Sequence, residues 1–299
     1  MSNSNKRAAL FGAFCADAYA LGSHWVYSCD VIEDASLDWK GHNAPLTDYH
    51  GDKKAGDLTH YGDQMLWLLE SIAKEHDFDL DAFALYWKEK ITNYSGYVDG
   101  ASKATLAVLN DNAAHIGSKD LSVAGRFAPL LYLYCDDLKG LLEAVEQHSS
   151  FTHDNPLVEQ SSLYFAEVAY HVMQGVPLEE TLLHTAKEYD EMIQIWVSEG
   201  FESRLRPTID VIGHFGQSCG VVSGFPGVIH LLVKHQDSYE FAMLENAKAG
   251  GDSAARGLIV GTILGALHGI NAIPQRWIDS LAHAQEIEKL TVEINARES

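Results

Sequence analysis

The chain has 299 residues, 46% of them hydrophobic and 21% charged, a mix that excludes disordered and collagen-like chains and leaves ample material for a buried core. Lys plus Arg number 21 against 42 Asp plus Glu, a formal net charge of −21. Such a surface repels phosphate backbones and anionic lipids, so neither nucleic acid nor a membrane is expected as a partner.

No apolar run approaches the roughly 20 residues of a membrane span. The polar segment Met1 to Arg7 lacks the apolar region and cleavage site of a secretory signal. Cys15, Cys29, Cys135 and Cys219 show no CxxC spacing, which points to a reducing compartment, and the cytoplasm is the expected location.

In chain order, the small-residue run Gly12 to Gly22 carries Asp17 and leads into Ser23-His24-Trp25-Val26-Tyr27. An Asp among Ala and Gly on a buried helix is costly unless paired. Either it fixes loop amides or it faces a site. The His-Trp-Tyr cluster is either a stacking platform for a base or ribose, or a core cluster. Asp34 to His60 is the longest irregular region, and a loop that long inside a compact domain is often functional.

Tyr61 to Lys74 has helical spacing with a polar opening at Gly62-Asp63-Gln64. Asp81 to Asn93 begins with Asp81 as cap candidate. Thr152-His153-Asp154-Asn155-Pro156 enters a long helix over Leu157 to Met173. Pro177 to Glu188 and Pro207 to Phe215 start on proline, and Ser238 to Ala249 starts on a serine cap. Val221-Val222 and Val228 to Val233 are β-rich but sit in a helix-length window.

Gly250-Gly251-Asp252-Ser253 then joins the Ser238 helix to Ala254–Leu267, which is apolar nearly all round and reads as a central buried helix. Its Gly257, Gly261 and Gly265 form a smooth stripe for a neighbouring helix. Arg256, one turn in, is too expensive to leave unpaired. A site carboxylate or a substrate phosphate is its expected partner. The apolar pattern shows no linker, so one all-α domain over residues 1–299 is expected.

Three motifs carry a family resemblance over most of the chain. Gly12-Ala13-Phe14-Cys15-Ala16-Asp17-Ala18, Thr152-His153-Asp154-Asn155-Pro156 and Ala249-Gly250-Gly251-Asp252-Ser253 resemble the signatures of the ADP-ribosylglycohydrolase family. That group is all-α and includes the dinitrogenase-reductase-activating glycohydrolases. Within it the chain is most similar to the branch holding J-type crystallins and selenoprotein J, through Ser23 to Tyr27, Tyr61 to Gln64, Gly96 to Lys103 and Gly251 to Arg256.

The resemblance implies a hydrolase cleaving a glycosidic bond to ribose in an ADP-ribosyl or related substrate. Asp63 and Asp252 are the expected catalytic pair, one as base on water and one as acid, with His24 or His153 as alternates. Asp17, His24, Trp25, Tyr61, Gly62, His153, Gly250, Gly251, Ser253 and Arg256 are the expected substrate contacts. Active relatives hold two Mg2+ or Mn2+ ions with acidic runs at two helix starts. Here those runs read Tyr61-Gly62-Asp63 and Asp252-Ser253-Ala254-Ala255. Hard ions need several oxygens, so the expectation is a weak Mg2+ site at Asp63 and Asp252 or none, and no tight dinuclear centre. The alternative is an inactive ligand-binding or crystallin-like structural protein on the same scaffold. The oligomeric state is left open.

Overall fold

The computed structural model describes residues 3–110 and 117–296. Among the described residues there are sixteen α-helices and no strand, only an isolated bridge between Asp120 and Gly220. The helices are α1 (Asn3–Ala20), α2 (Cys29–Asp34), α3 (His60–Glu75), α4 (Leu80–Thr92), α5 (Gly100–Leu109), α6 (Ala128–Leu133), α7 (Leu138–Thr152) and α8 (Pro156–Met173). The second half adds α9 (Leu178–Thr185), α10 (Glu191–Glu202), α11 (Thr208–Phe215), α12 (Val221–His235), α13 (Tyr239–Lys248), α14 (Ser253–His268), α15 (Gln275–Ser280) and α16 (Ala284–Asn295). The all-α expectation holds, and no described helix is long and apolar enough to cross a membrane.

Local chemistry sets the boundaries. Thr59, Ser238 and Asp252 cap α3, α13 and α14 through their side chains, meeting amides that a helix start leaves orphaned. The cap of α4 is Asp79, which accepts from the Ala82 amide. Asp81, two residues on, lies inside the first turn, so the expected cap is corrected by one Asp. Pro177 and Pro207 occupy the cap positions themselves.

Helix α14 is the centre of the molecule, with every residue from Ser253 to Ala266 buried. It packs antiparallel to α1 along most of its length. A Cβ at Gly261 would lie 2.4 Å from the Gly12 carbonyl oxygen, and one at Gly265 would lie 2.3 Å from that of Ala8. The two backbones therefore touch, and the glycine stripe read from the sequence is the contact surface. Because the pair is antiparallel, the residues after α1 lie beside those before α14. Residues 35–59 run irregularly between α2 and α3, apart from a 3-10 turn at Asp48–His50.

Gly261→Val should therefore lower stability by about 3 kcal/mol, the upper range for overpacking a rigid site. Gly213→Ala, in α11 where an added Cβ meets nothing within 4 Å, should raise it by roughly 0.5–1 kcal/mol. Urea unfolding midpoints check both.

Candidate functional site

The site forms where the α1–α14 pairing brings residues 23–27 against residues 250–252. The Trp25 amide donates to the Gly251 carbonyl at 2.8 Å, and the Gly251 amide donates to the Val26 carbonyl at 2.7 Å. Gly250 and Gly251 have φ of +65° and +62°, the left-handed region that side chains resist. A Cβ added at Gly250 would also lie 2.4 Å from the Val26 carbonyl oxygen, and one at Gly251 would lie 2.3 Å from that of Gln217. The double glycine is thus a steric requirement of the turn that aims Asp252.

Asp252 is buried. It accepts from the Ala255 amide and, through Oδ2, from the Tyr61 hydroxyl at 3.2 Å. The same hydroxyl lies 3.4 Å from Asp120 Oδ2. Asp120 caps the 3-10 turn Leu121–Gly125 by accepting from the Ser122 amide at 2.8 Å. Ligating atoms of Asp120, Asp252 and Cys219 all lie within 4.8 Å of one another. Burial and then the charge of Asp120 push the Asp252 carboxyl above its ordinary range, and burial does the same to Asp120. Two carboxylates this close, Asp252 buried and Asp120 half-buried, cannot both ionise readily. Burial, followed by the two carboxylates, pushes the Cys219 thiol up to about 12, so it is protonated and a poor nucleophile at neutral pH.

An aromatic rim surrounds the pair. Trp25 meets Tyr49 and Tyr97 edge-on at 4.9 and 5.0 Å, and Tyr49 and Tyr27 are about half exposed. Beside it a cavity of about 450 Å3 is lined by Asp99, Ala101, Lys119, Asp120, Cys219 and Gly220, at the N-terminus of α5.

His24, Trp25, Tyr61, Gly250, Gly251 and Ser253 lie around Asp252. His24 Nδ1 is 3.5 Å from Asp252 Oδ1, and its ring stacks on Trp25 at 4.4 Å. Ser253 is fully buried behind the cap.

Other expectations need correction. Asp63 does not face Asp252. Its Oδ2 accepts from Lys53 Nζ at 2.6 Å and from the Tyr94 hydroxyl, and the carboxylate that pairs with Asp252 is Asp120. Helical geometry explains the swap, because Tyr61 and Asp63 two residues apart on α3 point to different faces. Asp17 is fully buried, with its oxygens taken by the Thr59 amide at 2.7 Å and the Thr59 hydroxyl at 2.6 Å. It anchors α3 to α1, and Gly62 is required because a Cβ there would lie 2.2 Å from Asp17 Oδ2.

His153 lies in a buried network behind the site. Its Nδ1 is 2.8 Å from the Thr152 hydroxyl, to which Arg126 donates; Arg126 also donates to Gln64, whose amide donates to Asp99. Arg256 is buried as expected, but its hydrogen bonds go to the Gly250 carbonyl at 2.6 Å and Asn246 Oδ1 at 3.0 Å, not to a carboxylate. It braces the glycine turn, while its charge opposes the upward shift of Asp252.

Sequence reading missed Asp120, Cys219, Tyr49 and Tyr97. The signals were faint: Asp120 stands two residues before Ser122 as a cap, and Tyr97 lies in the Gly96–Lys103 run that carried part of the resemblance.

The ADP-ribosylglycohydrolase family model matches residues 3–299. The chain belongs to the ADP-ribosylglycohydrolase family. It is 21% identical to crystallin J1A of Tripedalia cystophora over 94% of this chain and 93% of that one. It is 29% identical to a protein of Acanthamoeba polyphaga mimivirus named as a candidate ADP-ribosyl glycohydrolase, over 50% of this chain and 48% of that protein, so that match spans about half the relative's length. A solved structure titled ADP-ribosylglycohydrolase-related protein complex superposes with a TM-score of 0.73 at 17% identity, covering 99% of both chains, which establishes a common fold.

Burial raises the Asp17 carboxyl from 3.8 to about 7 against the two Thr59 hydrogen bonds. The folded chain therefore holds a proton that the unfolded chain releases, so stability is greatest below the ordinary carboxylate pKa and falls as pH rises through about 7. Asp17→Asn, which mimics the protonated form, should flatten the fall in Tm between about pH 4 and pH 7. Equal slopes in the two proteins would show that Asp17 titrates normally.

Proposed function

We propose that this protein is a hydrolase that cleaves a glycosidic bond to ribose in an ADP-ribosyl-type small molecule, with Asp120 and Asp252 as its acid–base pair. The observation carrying this reading is the Tyr61 hydroxyl held between the two carboxylates, both pushed upward by burial. Such a pair shares a proton near neutral pH. Ionised Asp120, the more open of the two, takes the proton of the attacking water. Protonated Asp252 gives its proton to the leaving group as the bond to the ribose anomeric carbon breaks. The Tyr61 phenol, driven well above its ordinary pKa by burial and the surrounding carboxylates, stays protonated and orients whichever carboxylate is ionised.

The rest of the substrate has matching surroundings. The aromatic rim suits a base or ribose face. The cavity at the α5 N-terminus, with its backbone amides and Lys119, suits a diphosphate despite the acidic surface.

In this reading no tightly held dinuclear Mg2+ centre operates. The donor set at the pair is two carboxylates and a thiol, the thiol being unsuited to a hard ion. Asp63 has the Lys53 ammonium where a cation would sit. A second reading, a non-catalytic protein on this scaffold, draws on the near full-length similarity to crystallin J1A.

A mass-spectrometric turnover screen of ADP-ribosyl conjugates, with and without Mg2+ or Mn2+, separates the readings. Asp120→Asn and Asp252→Asn should each lower kcat by roughly 10²–10⁴, the contribution of a positioned acid or base, while Asp63→Asn should chiefly lower Tm. Binding of ADP-ribose without turnover of any conjugate would favour the non-catalytic reading. Two equivalents of Mg or Mn in chelator-free protein would overturn this account of the site.

A further inference from the structure

A second group of chemically capable side chains lies just behind the aromatic rim. His24, His50 and His60 are each about 1% exposed or less, and each offers a ring nitrogen within 4.8 Å of the other two. They come from three separate pieces of chain: the loop after α1, the 3-10 turn at Asp48–His50, and the first residue of α3. Their ring centroids are 5.1, 5.4 and 6.2 Å apart. Three imidazoles around a tetrahedral ion with bonds of about 2.0–2.1 Å put their centroids at roughly 5 Å.

The hydrogen bonding of this cluster is incomplete. His50 Nε2 and His60 Nδ1 are 3.0 Å apart. Among the described residues neither nitrogen of His24 has a hydrogen-bond partner, nor does His50 Nδ1 or His60 Nε2. Leaving a buried polar atom unpaired is costly, and among the described residues His24 Nε2 and His50 Nδ1 have neither a hydrogen bond nor a carboxylate within ion-pair distance.

The outer nitrogens face carboxylates. His60 Nε2 is 3.7 Å from Asp99 Oδ2, and His24 Nδ1 is 3.5 Å from Asp252 Oδ1. That leaves His60 Nδ1 and His24 Nε2 as the inner nitrogens, beside His50 Nε2. A carboxyl oxygen behind each of two imidazoles, able to face the outer ring N–H whether or not the acid's other oxygen carries a proton, is the outer-shell arrangement that fixes tautomer and ring orientation in histidine–zinc sites.

We infer that His24, His50 and His60 form a transition-metal site of the three-histidine type, suited to Zn2+, with the fourth position left to water. Its donors are imidazoles, which suit Zn2+ far better than Mg2+, so the site is separate in kind from a carboxylate-held hard ion. Burial holds all three rings well below the usual histidine pKa, His50 at about 4, so they are neutral and ready to ligate at pH 7. The site would tie the irregular segment 35–59 to α1 and α3, which converts metal binding into local stability.

The test uses tag-free full-length protein, stripped with chelator and titrated with Zn2+ or Co2+ alone. One equivalent per chain is expected, with a rise in Tm. The Co2+ form should show the visible bands of a four-coordinate nitrogen–oxygen site without a thiolate charge-transfer band. His50→Gln, in a short surface turn, should weaken binding by more than the roughly 10–100-fold that a lost outer-shell partner costs, with circular dichroism unchanged. Cys219→Ser should leave the Co2+ spectrum intact. Absence of stoichiometric binding, or an undiminished affinity in folded His50→Gln, overturns the proposal. A thiolate band that disappears in Cys219→Ser does so too, by placing the ion at Asp120, Cys219 and Asp252.

Discussion

Helices α1 and α14 touch backbone to backbone, and the candidate site is a consequence of that contact. The Gly12 and Gly261 carbonyls occupy the space where side chains would otherwise stand. Dispersion contacts at such short range are dense and tolerate no added volume. The antiparallel register then fixes what lies at the end of the pair. The segment leaving α1 must run beside the segment entering α14, so His24 and Trp25 meet Gly250, Gly251 and Asp252. Asp17, near the end of α1, holds Thr59 and so fixes the start of α3. Tyr61, two residues later, is thereby delivered to Asp252.

Charge is handled differently on the two sides of that α3 start. Asp63 is neutralised directly by Lys53 and is a structural ion pair. Among the described residues no Lys or Arg pairs with Asp252, whose ion-pair neighbour is the neutral His24. Arg256, which acts on Asp252 electrostatically, directs its hydrogen bonds to the turn beneath. The unneutralised burial raises the Asp252 carboxyl to about 7 and pushes Asp120 upward as well. Arg126, Gln64 and the Thr152–His153 pair form a polar support behind Asp99. The second conspicuous motif is therefore joined to Asp99 through Arg126 and Gln64.

The helical architecture, and the turn that carries Asp252, are written in short stretches of sequence. Helical periodicity, caps such as Ser238 and Asp252, the glycine stripe of α14 and the double glycine before it are all local or single-helix features. Their physics acts over a few residues, so it can be read from neighbours in the chain. The cluster of His24, Trp25, Tyr61 and Asp252 was legible because each belongs to a motif with its own local signature. Which carboxylates pair was decided only by tertiary structure. Asp63 and Asp120 both stand near a helix or turn start and look alike in sequence. The rotation of α3 in its packing sends Asp63 to Lys53, while the bridge beside Gly220 brings Asp120 to Asp252. The convergence of His24, His50 and His60 was equally hidden, since it depends on how an irregular segment folds back over two helices. Pair identity is a property of orientation and long-range packing, and no spacing along the chain encodes it.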